Sequence, residues 1–268
     1  MGVVDRLPHA LRDRERFGAA LGRRWPAVFL DYDGVLTPIV DRPEDAVMSA
    51  AMRSTVCDLA RRCPVCVVSG RDRAVVQRLM GMDELVVAGS HGFDIWHPRR
   101  DALEHEAASG FEALVAEVTD RLRQEVAGLT GVAVEPKRAS VAVHYRLADE
   151  PARTRVTALV ERLLAERPEE LKLTPGKMVY EILPNLDWNK GRAVDYLLDT
   201  LGLTGPGVVP IYLGDDVTDE DAFRALANRG VGVGVYVGDA VRLDRSTAAQ
   251  FTVDDPDQVR TLLDSLAR

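Results

Sequence analysis

The apolar run Val28-Phe29-Leu30 ends in two carboxylates one residue apart and then a glycine, Asp31-Tyr32-Asp33-Gly34. So short and apolar a run, just after Pro26, reads as a parallel strand buried on both faces. Successive strand residues alternate sides, so Asp31 and Asp33 share one side, and Gly34 lets the chain turn. In open α/β sheets ligands bind beyond the carboxyl ends of the strands, which places a pair of acids there for chemistry. Alone, the pair reads equally well as an acidic loop capping a helix.

The alternation that follows gives the fold class. Met52, Val56 and Leu59 have helical spacing over 48–62, and the strand Val65–Val68 ends in Ser69-Gly70-Arg71. A second helix over 73–80 leads to a strand at 85–88 and then to Gly89-Ser90-His91-Gly92. Strand, turn and helix in this order predict a doubly wound parallel sheet. Near residue 108 the pattern changes. Phe111, Leu114, Val115, Val118 and Leu122 share a helical face, and strand-like runs follow at 132–137 and 140–145. Asp149-Glu150-Pro151 opens another amphipathic helix, and Pro175-Gly176 separates two more strands at 171–174 and 178–183. This αββαββ block reads as a small α+β domain inserted into the first fold. Helices at 190–201, 219–227 and 258–267 and strands at 208–213 and 231–237 then resume the doubly wound pattern. The expected division is a discontinuous catalytic core, 1–107 with 185–268, and an inserted cap domain, 108–184. The G-x-G spacings of Gly230 to Gly238 have no helix at the dinucleotide-fingerprint distance, so they read as a close-packed strand.

The formal net charge of -8 argues against a nucleic-acid or anionic-membrane partner. Residues 1–24 read as a polar helical lead-in without the apolar core of a signal peptide, and no stretch approaches the ~18 apolar residues of a membrane span. A cytoplasmic chain is the simplest expectation. Cys63-Pro64-Val65-Cys66 has C-x-x-C spacing, but no second ligand pair for zinc accompanies it, and Cys66 falls within a strand. It reads as a small core residue.

Four strand ends of the main domain carry complementary polar groups: Asp31 with Asp33, then Ser69-Gly70-Arg71, then Lys190, then Gly214-Asp215-Asp216. Each has a bland reading, as a turn, a solvated lysine or a cap. Together they suit phosphoryl transfer, which needs an in-line nucleophile, a proton donor, a divalent cation and fixed positive or N–H groups. Asp31 fits the nucleophile that forms an aspartyl-phosphate, and Asp33 the acid and base for leaving group and water. Asp31, the Asp33 carbonyl and Asp215 offer hard oxygens for one Mg²⁺. Ser69 with the N–H groups of Gly70 and Arg71 fits a phosphate clamp, and Lys190 balances charge. Asp216 and Asp219 receive supporting roles, with Thr218 and Asp221 read as a helix-capping pair. His91 falls at the site margin; His144, beside Tyr145, reads equally as a sugar or phosphate contact and as structural.

Asp31 to Leu36 as D-Y-D-G-V-L, V-V-S-G-R at 67–71, N-K-G at 189–191 and G-D-D-x-T-D-E-D at 214–221 resemble the four motifs of the haloacid dehalogenase superfamily. The inserted block, with E-P-K-R-A-S-V-A-V-H-Y-R at 135–146 and G-K-M-V-Y-E at 176–181, is similar to the cap of trehalose-6-phosphate phosphatases. The resemblance spans about residues 26 to 260. It implies Mg²⁺-dependent hydrolysis of a disaccharide 6-phosphate by a phosphoaspartate route, with Glu135, Lys137, Lys177 and Glu181 gripping the distal glucose. Read from the residues alone, those four are a solvated sheet face with ion pairs worth ~0.2–1 kcal/mol each. Position 35 is Val where the superfamily usually has Thr. A different sugar phosphate, such as a sucrose phosphate or an aminocyclitol phosphate, is the alternative substrate, and a non-catalytic sugar-phosphate sensor is the alternative of another class.

Overall fold

The computed structural model describes residues 7–98, 100–103, 111–176, 178–239 and 246–267. After α1 (Arg14–Leu21), β1 (Trp25–Leu30) carries the apolar run, and its last four residues, Ala27 to Leu30, are fully buried. Side chains that apolar on both faces need cover on both, and helices supply it. The chain continues through α2 (Ala50–Ala60), β2 (Val65–Val68), α3 (Arg73–Met80) and β3 (Val86–Gly89). Ser49 caps α2 by accepting from the Met52 amide at 3.1 Å.

Two antiparallel strands, β4 (Asp94–His97) and β5 (Arg100–Leu103), extend the sheet beyond β3. They are additions to the expected pattern, because Asp94-Ile95-Trp96-His97 has no apolar run of core-strand length. After the inserted segment come α6 (Lys190–Thr200), β10 (Val208–Gly214), α7 (Asp219–Asn228), β11 (Val233–Val237), β12 (Phe251–Val253) and α8 (Pro256–Leu266). The three-residue β12 is too short to show a period and also escapes the sequence pattern. Sheet order is β12-β11-β10-β1-β2-β3-β4-β5, with every pair from β12 to β3 parallel. The chain runs outward from β1 through β2 and β3 on one side and through β10, β11 and β12 on the other. The order therefore reverses beside β1, and crevices of open α/β sheets form at such a reversal.

The inserted segment holds α4 (Glu112–Glu125), β6 (Ala133–Pro136), β7 (Val141–His144), α5 (Glu150–Glu166), β8 (Leu171–Gly176) and β9 (Val179–Pro184). Its four strands form an antiparallel sheet in the order β6-β7-β9-β8. Val141, Val143 and Ile182 pack with Val115, Val118, Leu122, Val156 and Leu163 from the two helices in one apolar core. Asp149 caps α5 by accepting from the Ala152 amide at 2.9 Å. The chain forms two compact units, Met1–Leu103 with Trp188–Arg268, and Glu104–Asp187. No described helix is long and apolar enough to cross a membrane.

Cys66 is buried within β2, and burial pushes its thiol up to about 12, as suits an unreactive core residue. Gly234 lies inside β11 where a Cβ would stand 2.8 Å from the Phe223 ring, so the Gly-Val alternation is a close-packed strand. Leu30 ends β1 inside the core immediately before Asp31. Leu30→Ala is expected to lower unfolding free energy by about 2–5 kcal/mol, read as a lower urea midpoint at unchanged slope.

Candidate active site

Strand ends deliver the polar groups. β1 stops at Leu30, so Asp31 is the first residue past the sheet at the reversal point, and its N–H donates to the Leu213 carbonyl of β10 at 3.0 Å. β10 stops at Gly214, which puts Asp215 beside it. Gly34, at φ +73, makes the approach possible: a Cβ there would stand 2.3 Å from Asp215 Oδ2. Lys190 begins α6, the helix expected over 190–201, so it reaches the site from a helix start while the other groups come from strand ends. Asn189 caps this helix, accepting from the Arg192 amide at 2.9 Å.

Lys190 is 3% exposed, and its ammonium lies 3.0 Å from Asp31 Oδ2 and 2.8 Å from Asp219 Oδ1. Burial alone pushes that ammonium down, but the Asp219 and Asp31 carboxylates outweigh it and hold it above its ordinary value. For Asp31, burial raises the carboxyl well above the usual range; Lys190 opposes this, while Asp219, Asp215 and Asp33 add to it.

Asp219 is the residue the sequence reading underrated. Fully buried, it accepts from Lys190 and from the Tyr212 hydroxyl (2.7 Å) on Oδ1, and from the Asp215 and Asp216 amides (2.9 Å each) on Oδ2. Thr218 makes no side-chain cap, so the expected pairing with Asp221 is replaced by this hub. The signal was an acid four residues beyond Asp215, at the start of a helix and within one turn of a strand end. Asp219→Asn turns an N–H₂ toward groups that are all donors, and is expected to cost about 1.5–3 kcal/mol, seen as a lower melting temperature.

One oxygen from each of Asp31, Asp215 and Asp219 lies within 4.8 Å of the others. Clustered carboxylates in a buried place suit a hard divalent cation. Asp219 already accepts two bonds on each oxygen, so Asp31 and Asp215 are the side chains better suited to hold one.

Asp33 faces elsewhere. Its two oxygens accept from Arg71 Nε (2.6 Å) and NH2 (2.7 Å), a planar two-point pairing, while Arg71 NH1 donates to the Pro43 carbonyl at 2.7 Å. The Arg71 side chain therefore holds Asp33, and its N–H group is the part that the sequence placed at phosphate. Ser69 is 1% exposed, and its Oγ accepts from the Arg71 amide at 3.2 Å, which leaves its hydroxyl proton to give. The His91 ring lies against Gly70, and Ser90 and His91 both have left-handed backbone, at φ +49 and +57. Non-glycine residues there cost on the order of 1–3 kcal/mol each.

Val35 is fully buried and belongs to the apolar core cluster. Thr37 is 1% exposed, and its hydroxyl has no hydrogen-bond partner among the described residues.

In the second unit the register sets Glu135, Ala142, Glu181 and Thr174 in one row across the sheet, opposite the apolar core face. Lys137 pairs with Glu181 at 2.9 Å, Ser140 Oγ donates to Glu181 at 2.7 Å, and His144 Nε2 lies 2.7 Å from Glu135. The His144 hydrogen bond holds the Glu135 carboxyl below its usual range. Lys177 lies outside the described residues.

A family model described as trehalose-phosphatase matches residues 29–257. A trehalose 6-phosphate phosphatase of Zea mays is 39% identical over 277 residues, covering 98% of this chain and 76% of that one. A trehalose-phosphate phosphatase of Mycobacterium tuberculosis is 40% identical over 268 residues, covering 99% and 67%. Among solved structures, the C-terminal domain of C. albicans trehalose-6-phosphate phosphatase has the same fold, with a TM-score of 0.76 at 23% identity over 97% of this chain and 98% of that one.

Proposed function

The chain belongs to the trehalose-phosphatase family of phosphoric monoester hydrolases, and from that premise we propose that it releases inorganic phosphate from trehalose 6-phosphate through an aspartyl-phosphate on Asp31. The carrying observation is a buried carboxylate at the sheet's reversal point, with Lys190 on one oxygen and a second acid two residues on. An Asp31 oxygen attacks phosphorus while the bond to the sugar oxygen breaks, and Asp33 gives its proton to that oxygen. Asp33 then takes a proton from the water that attacks the phosphoaspartate, which frees phosphate and restores Asp31. Ser69 donates its hydroxyl proton to a phosphoryl oxygen, together with the N–H groups of Gly70 and of Arg71, the second shared with Ser69 Oγ. Lys190 offsets the negative charge gathered by Asp31 and the phosphoryl group.

Asp31, Asp215 and the main-chain carbonyl of Asp33 are the atoms we assign to Mg²⁺. When bound, that ion neutralises charge on the transferring phosphoryl oxygens. Arg71 anchors Asp33 by two hydrogen bonds, so the acid acts from a fixed direction. Glu135, Lys137, Lys177 and Glu181 supply paired donors and acceptors for sugar hydroxyls.

Asp31→Asn is expected to abolish phosphate release, and Asp33→Asn to lower kcat by about 10²–10⁴. Because the Asp31 carboxyl sits above its ordinary value, its ionised form is penalised in the folded chain at neutral pH. Without metal, the stability difference between Asp31→Asn and the wild type should therefore move in favour of the variant as pH rises and wild-type Asp31 gives up its proton. A difference that does not change with pH would remove the burial argument.

Chelation should stop phosphate release and Mg²⁺ restore it. In a panel of trehalose, sucrose and aminocyclitol phosphates, trehalose 6-phosphate should show the highest kcat/KM. Binding of the sugar phosphate without any release would favour a sensor.

A further inference from the structure

Among the described residues, the turn Ser90–Gly92 after β3 holds two successive side-chain-bearing residues with left-handed backbone. Both are buried, Ser90 at 1% and His91 at 8% exposure. Such backbone is disfavoured wherever a Cβ is present, and it persists where its surroundings over-determine it. Glycine takes the same conformation freely, so closure of the turn alone does not call for histidine.

The two amides of this pair bracket Gly70. Ser90 N–H donates to the Arg71 carbonyl at 2.7 Å, and His91 N–H donates to the Ser69 carbonyl at 2.8 Å. The imidazole lies on Gly70 itself: a Cβ built there would stand 2.8 Å from His91 Cε1 and 3.0 Å from Nε2. Ser90 Oγ adds a bond to Asp72 at 2.7 Å, the residue that precedes α3. On the far side of the turn, a Cβ on Gly92 would stand 2.3 Å from Ala193 Cβ, in the helix that begins with Lys190. One reverse-handed turn thus touches both the Ser69–Arg71 segment and the helix that carries Lys190.

We propose that His91 is a positioning residue: its ring against Gly70, with its amide on Ser69, sets the Ser69-Gly70-Arg71 turn in the shape that accepts phosphate. The assignment rests on the reading above that this turn receives the phosphoryl oxygens. Successive N–H groups in a turn form a concavity suited to an anion. Here the Ser90 and His91 amides are filled by the carbonyls on either side of Gly70, so these two amides hold the neighbouring turn and bind no anion themselves. The flat ring occupies the space into which Gly70 would withdraw, and the turn keeps its shape when an anion pulls on its N–H groups.

The test uses the full chain with Mg²⁺. His91→Gly removes the ring and accepts φ +57 without strain. It should still unfold cooperatively, while the inhibition constant of inorganic phosphate rises about 10–100-fold. kcat/KM should fall by a similar factor on both trehalose 6-phosphate and an aryl phosphate. Gly70→Ala should lose phosphate affinity by driving a methyl into the ring, and Gly70→Ala combined with His91→Gly should regain part of it. His91→Asn, which tolerates left-handed backbone, carries the same readouts where His91→Gly does not fold. Unchanged phosphate inhibition in a folded His91 variant, or a double variant no better than Gly70→Ala, overturns the assignment. Inorganic phosphate and the aryl ester carry no sugar, so a wild-type chain inactive on trehalose 6-phosphate defeats the substrate reading while these two arms still decide the role of His91.

Discussion

The buried ammonium of Lys190 between Asp31 and Asp219 is the interaction on which the rest of the site depends. It sits at the first residue of a helix, where the macrodipole disfavours a cation, and burial disfavours its charge again. Two carboxylates overcome both effects, and each must itself be held. Asp219 gains a tyrosine hydroxyl and two backbone amides, all fixed by β10 and the start of α7. A buried ion pair of this kind is weak evidence for stability, since desolvation offsets most of its attraction. Its value here is geometric. It fixes one Asp31 oxygen and sets Asp215 by its backbone, both at the edge where the sheet reverses.

The two acids of the opening motif divide by environment. Asp31 lies among other carboxylates with the Lys190 ammonium, whereas Asp33 is paired at two points with the Arg71 guanidinium. In the proposed mechanism an added cation would ease the charge on the first, and the second would act as acid and base from a direction fixed by that pairing. Gly34 permits this division, because its missing Cβ is where the Asp215 carboxylate comes closest.

Much of this was legible in the sequence because it follows from strand ends. Asp31, Ser69 and Asp215 each come directly after an apolar run, and a parallel sheet brings such positions to one edge whatever else the chain does. Less legible were groups whose meaning depends on a partner far along the chain. Asp219 received only a supporting role, since nothing local shows that Tyr212 and Lys190 converge on it. The Arg71 side chain had no part in that pattern, since only the folded chain sets it beside Asp33. Val35 stood out as a departure in the motif, and the folded chain buries it in the apolar core. The strands β4 and β5 lacked the apolar run that marks a core strand, so the antiparallel edge went unread.

The second unit follows a different logic. Glu181 already accepts from Lys137 and Ser140, and Glu135 is already paired with His144. Binding of a sugar by such a row exchanges existing hydrogen bonds for new ones, so each contact adds little net affinity. A ligand that lacks one hydroxyl leaves a desolvated donor or acceptor behind, and that omission is penalised far more heavily than the contact was rewarded. Ala142, between the two glutamates in the same row, contributes no polar atom and keeps them one strand apart on either side. On the proposed reading, the pre-paired row is therefore suited to rejecting wrong sugars, while the buried cluster at the end of β1 is suited to the phosphoryl chemistry that all of them share.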